Sequence, residues 1–471
     1  MILSRQTFLV LGLSRSGTAA AEFLLKANAK VYIYDDLVSE ALENAARSLE
    51  ALGAERMKKE ALTRSQEICD ALVLSPGIPV DHPLAVAFKR NGKAVIGETE
   101  LAARYMRCPI VAVTGTNGKT TTVSMIGKIF DDAGVEAATC GNIGTPMITK
   151  VGLSETAVAV AEISSFQLET LGALRPHVGV VLNITEDHLN RHYNMENYVF
   201  LKSKLLKNST ETEYAVLNYD DTLVRSFAEK TKARVVFFSA RERVNGAYYE
   251  NGKLYYAGEE VMPVSGLPVE GIHNIRNALA AICAAKLMGV SSPTIARSLS
   301  SFKGVRHRVE LVAEIDGVKY IDDSKGTNVD ATLQAVKCMK EETILLLGGK
   351  DKGYDYDALF SALPSTKIVH AVLYGENRFR LFESAMRCGF DKVTFSSSGF
   401  DFAVRLARLL AGKGRTVLLS PAAASFDEFA DYEERGERFV AVVREFEKQE
   451  TAAPDEEIVA DLAEEVGSGE E

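Results

Sequence analysis

Short runs of β-branched and aliphatic residues alternate with amphipathic stretches along most of the chain. In the first segment, 1–97, the pattern predicts strands over Thr7 to Leu11, Lys30 to Tyr34 and Ala71 to Leu74. Helices are predicted from Gly17 to Lys26 and over 39–52. Strands that alternate with helices at this spacing are typical of a parallel, doubly wound sheet.

The same alternation continues in two further segments, about 98–303 and 304–450. Elements predicted in the second segment are a strand over Ile110 to Val113, a helix from Thr120 to Asp131, strands over Val158 to Ile163 and Gly179 to Asn183, and an alanine-rich helix from Asn274 to Met288. The tyrosine-rich stretch 234–262 predicts edge hairpins, with one turn at Glu250-Asn251-Gly252-Lys253. Strands predicted in the third segment are Lys319 to Ile321, Thr343 to Leu347, His370 to Leu373 and Thr416 to Leu419.

Composition and charge narrow the class of protein. A chain of 471 residues suits about three domains. Its net charge of -10 argues against nucleic acid or an anionic membrane as the main partner. No apolar run is long enough to span a membrane, and we interpret Met1 to Leu11 as a first strand, not a signal peptide. Six scattered cysteines predict reduced thiols in a cytoplasmic protein.

A glycine-rich turn joins a buried strand to a helix at 111–122, Val-Ala-Val-Thr-Gly-Thr-Asn-Gly-Lys-Thr-Thr-Thr. Backbone N–H groups and the helix dipole converge at such a turn and form an anion site. Lys119 would reach the terminal phosphates, and the Thr120 hydroxyl is suited to Mg²⁺. The general pattern asks for glycine where Val113 stands, so this is a shortened variant. The pattern predicts a nucleoside triphosphate site; the alternative is an ordinary turn with a surface lysine.

A second loop, Gly12-Leu13-Ser14-Arg15-Ser16-Gly17, follows the first predicted strand and opens a helix. It is similar to the dinucleotide fingerprint, but Ser14 replaces the glycine that allows close approach of a pyrophosphate. Asp35 and Asp36 end the next strand, where an acid would meet a ribose. Another nucleotide diphosphate suits this loop better than NAD, and a purely structural turn stays open as well.

Two acidic and polar loops follow strands of the second segment. Glu162 begins one, Glu-Ile-Ser-Ser-Phe-Gln, and His188 ends the other, Asn-Ile-Thr-Glu-Asp-His. Taken singly, each residue suits a structural cap or a core hydrogen bond. At strand ends beside a triphosphate loop, the two together predict ligands or supporting groups for a divalent metal.

These segments, with several others, resemble the Mur ligase family. The residues that carry the resemblance are Thr114 to Thr121, Glu162 to Gln167, Asn183 to His188, His273-Asn274, Asn277 to Ala280, His307-Arg308 and Asp322 to Asn328. The match covers roughly 5–440. It implies an ATP-dependent amide ligase of peptidoglycan synthesis that works through an acyl phosphate. It also implies three α/β domains: a Rossmann-like UDP-sugar domain over 1–97, a central P-loop mononucleotide-binding domain over 98–303, and a Rossmann-like amino-acid-binding domain over 304–450. The acidic tail 451–471 lies outside the match and is predicted to be a disordered or loosely helical appendage.

Three features resemble the members that add D-glutamate to UDP-N-acetylmuramoyl-L-alanine. They are the Gly12–Gly17 loop with Ser75-Pro76-Gly77-Ile78-Pro79, the run Gly348 to Gly353, and the run Ser420 to Phe429. The Asp-Asn-Pro-Arg-type motif of diaminopimelate- or lysine-adding relatives does not occur. The alternatives are another Mur ligase, a folylpolyglutamate synthase, or a nucleotide-binding regulator without chemistry.

The resemblance implies roles for individual residues of the triphosphate site. Those expected to bind ATP are Gly115, Thr116, Asn117, Gly118, Lys119, Thr120, Thr121, Asn277 (at the adenine), Arg308 and Asp323. Two Mg²⁺ ions are expected on Thr120, Glu162, His188 and Lys202, and Lys119, His188 and Lys202 are expected to be catalytic. Lys202 matches a lysine that is carbamylated by CO₂ in the family. Without the resemblance, Lys202, Lys204 and Lys207 suggest a solvated basic face of one helix.

The two substrates are assigned in the same way. The UDP-sugar is expected on Ser14, Arg15, Ser16, Asp35, Asp36, Ser75, Pro76 and Gly77, with Asn142 at its sugar or peptide end. D-Glutamate is expected on Lys325, Thr327, Lys352, Ser425, Phe426 and Tyr432, with the choice between Lys350 and Lys352 left open. We expect a monomer whose third domain moves as a rigid body about a hinge near Lys303 to Val305.

Overall fold

The computed structural model describes residues 3–449, and the predicted tail 451–471 lies outside them. The chain divides into two compact units between Lys303 and Gly304. The first unit contains two β-sheets and the second contains one. Three α/β sheets with flanking helices confirm the predicted fold class. The predicted limits of the domains and the hinge movement stay predictions.

The first sheet has five parallel strands in the order β3-β2-β1-β4-β5. Its strands are β1 Thr7–Leu11, β2 Lys30–Tyr34, β3 Glu55–Arg56, β4 Ala71–Leu74 and β5 Ala94–Gly97. Its helices are α1 Arg15–Lys26, α2 Glu40–Ala51, α3 Ser65–Ile68, α4 Pro83–Arg90 and α5 Glu98–Tyr105. The near-continuous apolar runs of β1 and β4 arise because helices cover both faces of this sheet.

The second sheet has nine strands in the order β14-β13-β12-β11-β10-β9-β6-β8-β7. Its strands are β6 Ile110–Thr114, β7 Ala137–Gly141, β8 Val158–Glu162, β9 Val178–Val181, β10 Tyr214–Asn218, β11 Arg234–Ser239, β12 Ala247–Glu250, β13 Lys253–Tyr256 and β14 Glu259–Pro263. Its helices are α6 Lys119–Asp132, α7 Ser165–Glu169, α8 Leu189–His192, α9 Met195–Ser203, α10 Thr222–Arg225, α11 Ile272–Leu287 and α12 Ser292–Ser300. Since β8 and β9 both pair with β6, the loops that follow these three strands meet at one edge.

The third sheet has six strands in the order β15-β16-β20-β17-β18-β19, parallel except for the β15–β16 pair. Its strands are β15 Glu310–Ile315, β16 Val318–Asp322, β17 Thr343–Gly348, β18 Ile368–Tyr374, β19 Val393–Phe395 and β20 Thr416–Leu419. Its helices are α13 Val329–Lys337, α14 Asp357–Ala362, α15 Arg378–Arg387, α16 Phe400–Ala411 and α17 Tyr432–Gln449.

Apolar packing is continuous within the first unit. A single core cluster joins Val10 of the first sheet, Leu101 of α5 and Ala112 of the second sheet. Helix α5 therefore connects the two sheets by packing as well as by sequence.

The predicted strands and helices are present, with ends that shift by a few residues. The expectation of hairpins over the whole of 234–262 was wrong in part, because β11 runs parallel to β10 and only β12 to β14 are antiparallel. The predicted turn is confirmed: Glu250 pairs with Lys253 across Asn251 and Gly252, both with positive φ. Strands β15 and β19 of the third sheet were not predicted.

The structure also bears on the expected reduced thiols and on the expected lack of a membrane span. All six cysteines are free thiols, and four of them are buried. Across residues 3–449, none of the helices combines the length and the apolar composition that crossing a bilayer requires.

Candidate active site

The phosphate loop of 114–119 joins the end of β6 to the start of α6. Gly118 takes a left-handed conformation, with φ of 86°. A Cβ atom at Gly118 would lie 2.3 Å from the Asn277 Oδ1, and one at Gly115 would lie 2.9 Å from the Leu182 Cβ. Both glycines are therefore required by close approach of neighbouring chain segments, while Val113 is an ordinary buried strand residue.

Side chains and carbonyls from the loop after β9 and from α9 hold the phosphate loop in place. Asn183 accepts from the Asn117 N–H at 2.8 Å and donates to the Asn117 carbonyl at 2.9 Å, both through its side chain. The Thr116 hydroxyl lies 3.0 Å from the Thr185 carbonyl and 3.1 Å from the Tyr198 hydroxyl. These contacts fix the loop before any ligand binds, which lowers the cost of ordering it.

Lys119 lies over the loop that precedes it. Its ammonium donates to the carbonyls of Gly115 at 3.0 Å and Thr116 at 2.8 Å. This puts a positive charge beside the N-terminus of α6, where the helix dipole also favours an anion.

Glu162 and Thr120 meet beneath the loop, as the sequence predicted for a metal site. The Thr120 hydroxyl donates to Glu162 Oε2 at 2.9 Å, and the Asn142 amide donates to Glu162 Oε1 at 2.9 Å. Glu162 is only 2% exposed. A buried carboxylate beside a hydroxyl is a set of hard oxygen ligands, so these residues fit Mg²⁺. Asn142 therefore belongs to the surroundings of Glu162, a contact that the sequence did not indicate.

His188 lies near the same edge of the second sheet. Its backbone is left-handed, with φ of 56°, and its Nε2 lies 3.5 Å from an Asp187 carboxylate oxygen. The imidazole ring centre is 4.8 Å from that of Phe166. A half-exposed imidazole between a carboxylate and an aromatic ring is suited to receive a metal or a polar ligand.

Lys202 is 1% exposed and contradicts the interpretation of a solvated basic face. Its ammonium donates to the Gly115 carbonyl at 2.8 Å and to the Thr114 hydroxyl at 3.3 Å, directly behind the phosphate loop. Burial lowers the pKa of Lys202 well below its usual range, and the charge of Lys119 lowers it further. The three lysines do not share one helix, because α9 ends at Ser203; Lys204 binds the Glu169 carbonyl and Lys207 is exposed.

Asn277 lies on α11, which packs against α6. Its Oδ1 accepts from the Thr122 hydroxyl at 3.4 Å, and its Nδ2 lies 3.3 Å from Asn274 Oδ1. Thr121, the last predicted ATP residue of the loop, is buried on α6. Both residues therefore border the phosphate loop.

The loop after β1 is held by side chains from the loops that follow β2 and β4. Asp35 accepts from the backbone N–H groups of Leu13 at 2.7 Å and Leu37 at 2.9 Å. The Ser75 hydroxyl donates to the Gly12 carbonyl at 2.8 Å. Asp35 and Ser75 therefore bring the predicted UDP-sugar loops together by backbone contacts, while Ser14 and Arg15 are exposed and Ser16 is half-buried.

Two further residues predicted to bind the UDP-sugar, Arg15 and Asp36, contact other segments of the first unit. The Arg15 guanidinium donates to the Gly144 carbonyl at 3.2 Å, next to the turn that carries Asn142. Asp36 lies 3.0 Å from His82 Nε2. Arg15 therefore joins the first loop to the Glu162 side of the second sheet.

In the second unit, Arg308 and Asp323 are in contact. The guanidinium Nη1 lies 3.5 Å from Asp323 Oδ1, and the Ser420 hydroxyl donates to Asp323 Oδ2 at 2.7 Å. Burial raises the pKa of Asp323 to about 6, against the opposing effect of Arg308.

Of the predicted D-glutamate residues, Lys325 and Tyr432 are in direct contact. The Lys325 ammonium donates to the Tyr432 hydroxyl at 2.8 Å, and the Thr327 N–H donates to the Lys325 carbonyl at 2.9 Å. Ser425 is buried and Phe426 is 65% exposed.

The two alternative lysines have different surroundings. Lys350 pairs with Glu376 at 2.7 Å, whereas the Lys352 ammonium lies 5.9 Å from the ring centre of Tyr354. The choice between them stays open.

Comparisons with known proteins give matches over nearly the whole chain. Three family models match it: the Mur ligase MurD-like N-terminal domain over 6–97, the Mur ligase middle domain over 113–285, and the Mur ligase glutamate ligase domain over 307–423. A protein of Pelotomaculum thermopropionicum named UDP-N-acetylmuramoylalanine--D-glutamate ligase is 43% identical over 94% of this chain and 99% of its own length. The chain belongs to the Mur ligase family. A relative of the same name from Thermoanaerobacter sp. is 39% identical over 95% of this chain and 100% of its own.

Solved structures agree on the fold of this Mur ligase. MurF from Acinetobacter baumannii superposes with a TM-score of 0.60 at 18% identity, covering 92% of each chain. UDP-N-acetylmuramate-alanine ligase MurC from Thermotoga maritima gives 0.59 at 17% identity, covering 93% of this chain and 99% of that one. At these identities the likeness establishes the fold alone.

Sequence reasoning missed three residues of this Mur ligase that build the sites. Asn183 and Asp187 stand inside the Asn-Ile-Thr-Glu-Asp-His run, whose position at a strand end was the available signal. No sequence signal pointed to Arg435, because it stands among charged residues of an amphipathic helix. It is nevertheless fully buried and donates to the carbonyls of Ser324 at 2.8 Å and Ala423 at 3.0 Å.

Proposed function

We propose that this Mur ligase adds D-glutamate to UDP-N-acetylmuramoyl-L-alanine, with hydrolysis of ATP to ADP and phosphate, in peptidoglycan precursor synthesis. The observation that carries the substrate assignment is the match over 94% of the chain to a relative named for this reaction. The geometry of the phosphate loop with Thr120, Glu162 and Lys119 supports the use of ATP.

The reaction needs a carboxylate that is made electrophilic before an amine attacks it. A carboxylate oxygen of the acceptor attacks the γ-phosphorus of ATP, which gives an acyl phosphate and releases ADP. The amino group of D-glutamate then attacks the acyl carbon, loses a proton, and phosphate leaves. The protein's part is positioning and neutralisation of charge.

In this proposal the phosphate loop binds ATP. The N-terminus of α6 would face the phosphates and Lys119 would neutralise charge on the γ-phosphate, while Asn277, Arg308 and Asp323 are proposed as further ATP-binding residues. Thr120 and Glu162 would hold one Mg²⁺ and His188 a second, and Mg²⁺ would supply charge neutralisation at the transferred phosphoryl group.

Lys202 is proposed to carry a carbamate. Its amine is buried beside the phosphate loop, and a buried amine with a lowered pKa is the nucleophilic form that reacts with CO₂. The modification turns a cation into an anion that could bind metal, which an unmodified lysine cannot do.

The remaining residues are proposed to bind the two substrates. The UDP-sugar is proposed on the loops at Ser14 to Ser16, Asp35-Asp36 and Ser75 to Gly77, with Asn142 toward the acceptor's reactive end. D-Glutamate is proposed on the third sheet; the residues are Lys325, Thr327, Lys352, Ser425, Phe426 and Tyr432. Cationic and hydroxyl donors are what a free dicarboxylate requires. The monomeric state and the cytoplasmic location stay predictions.

Phosphate release measured with a panel of amino acids tests this proposal. With ATP, Mg²⁺ and UDP-N-acetylmuramoyl-L-alanine, we expect turnover with D-glutamate and background rates with L-glutamate, L-lysine and diaminopimelate. Lys119→Ala is the control variant: it should remain folded by circular dichroism and lose at least about 100-fold in rate, because a γ-phosphate charge goes uncompensated. Turnover that requires L-glutamate and a folate would contradict the proposal.

A further inference from the structure

Arg191 binds the loop that follows β4 by three backbone carbonyls. Its guanidinium donates to Ile78 O at 2.8 Å, Gly77 O at 3.2 Å and Pro76 O at 3.4 Å. The side chain is only 14% exposed. A planar guanidinium has five N–H donors in a fixed geometry, so this one side chain can serve several carbonyls and a carboxylate at once.

The same guanidinium is fixed on its other side within the second sheet. Its Nε and Nη2 donate to the two carboxylate oxygens of Glu169 at 3.0 and 2.6 Å. Its central carbon lies 5.1 Å from the ring centre of Phe166, and the His188 ring lies 4.8 Å from the same ring. Arg191 and His188 thus share contact with Phe166, with Arg191 clamped by Glu169 in one geometry.

The backbone on both sides of α8 is held in an uncommon conformation. His188 has a φ of 56° and Tyr193 a φ of 70°, and neither is glycine. Such conformations persist only where surrounding contacts determine them. The Tyr193 hydroxyl donates to Asp81, so the segment is tied to the first sheet's loop at a second point.

Anchoring these carbonyls also sets the direction of the neighbouring N–H groups. In a trans peptide the C=O and the following N–H point in opposite directions. When the Pro76 carbonyl faces Arg191, the Gly77 N–H faces away from it. A Cβ atom at Gly77 would meet open space, so this part of the loop has room for a ligand.

We propose that Arg191 is a positioning residue that couples binding of the nucleotide sugar on the Pro76–Ile78 loop to the orientation of His188. This rests on the proposed function, since it takes that loop as the nucleotide-sugar site and His188 as a metal residue. As a positioning residue, Arg191 touches neither substrate nor metal. It orients the backbone donors on one side and, through Phe166, the imidazole on the other.

The test is Arg191→Lys in the full chain. Lysine keeps the charge but cannot serve Glu169 and three carbonyls together. We expect the KM for UDP-N-acetylmuramoyl-L-alanine to rise about tenfold, the KM for ATP to stay within about twofold, and kcat to fall. Calorimetric titration with the same nucleotide sugar should show a matching loss of affinity, and it needs no turnover.

Arg104→Lys is the matched control. Arg104 also pairs with a buried carboxylate of the first unit, Glu100 at 2.8 Å, but its contacts do not include the Pro76–Ile78 loop. Its substrate KM values should stay at the wild-type level. If the Arg191 variant aggregates, Glu169→Gln tests the inference in its place. This substitution weakens the contact that fixes Arg191, so the KM for UDP-N-acetylmuramoyl-L-alanine should rise at least about threefold.

The outcomes separate the inference from the proposed function. If Arg191 had a purely structural role, its replacement would lower the unfolding temperature and the fraction of active enzyme. The kcat would then fall, while every KM and the calorimetric affinity would stay unchanged. That result would overturn the inference. Wild-type enzyme that binds the nucleotide sugar without turnover with D-glutamate would overturn the proposed function instead, and the calorimetric comparison would still decide on Arg191.

Discussion

At the scale of single residues, the sites rest on charged groups that are buried beside backbone carbonyls. Lys202 is the clearest case, since its ammonium lies behind the phosphate loop with Gly115 and Thr114 as hydrogen-bond partners. Burying a lysine costs desolvation free energy, so a fully buried lysine at this position points to a role other than stability. Its residue type and spacing suggested a surface face, because burial is a property of the packed molecule that one helix's pattern does not contain.

Lys202→Met separates a functional role from a structural one. Methionine has nearly the same length and no charge, so the free energy of unfolding should stay the same or rise by about 1 kcal/mol. Activity should fall at least about 100-fold. Denaturant unfolding and phosphate release measure the two quantities on the same preparation. Activity within tenfold of wild type, together with a clear loss of stability, would make Lys202 structural only.

At the scale of secondary-structure elements, α5 and α7 are joined by buried side chains. Thr99 donates to Glu98 at 3.0 Å and accepts from Gln167 at 2.9 Å. Gln167 in turn forms a capping box with Ser164, two residues after Glu162. The start of α5, where the chain leaves the first sheet, is thus connected to the loop that carries the proposed metal ligand. The capping box could be read from Ser-Ser-Phe-Gln, but the partner of Gln167 could not.

Glu98 gives this connection a pH dependence. Burial raises the pKa of Glu98 to about 7, against hydrogen bonds from Ile148 and Thr99 that favour the charged form. Its unfolded value is about 4.5, so between these two pH values the native state binds more protons than the unfolded state. This contribution to stability is therefore fully present below about pH 4.5 and is lost as the pH rises to 7.

Glu98→Gln should remove that dependence. Glutamine keeps an oxygen acceptor for the Ile148 N–H and does not titrate. The difference in unfolding free energy, variant minus wild type, should increase between pH 5 and pH 8 by up to about 3 kcal/mol. Urea unfolding at several pH values measures it. Curves for the two proteins that run parallel would show that Glu98 does not titrate in this range.

At the scale of the whole molecule, the three α/β sheets were predictable because buried parallel strands carry near-continuous apolar runs. The edge strands Glu55–Arg56 and Val393–Phe395 were not, since two or three residues hold no periodic signal. The phosphate loop and Glu162 could be found from strand-loop-helix order. Arg191 could not, because its partners at Pro76 to Ile78 are more than 100 positions away along the chain.

In the proposed reaction, the acceptor's carboxylate is phosphorylated and then becomes an amide with D-glutamate. Acceptor labelled with ¹⁸O in the L-alanine carboxylate tests it most directly, with product and phosphate analysed by mass spectrometry. We expect one ligated product per phosphate released, and one ¹⁸O atom carried from the carboxylate into that phosphate. Phosphate released without ¹⁸O, or without formation of the D-glutamyl product, would contradict it.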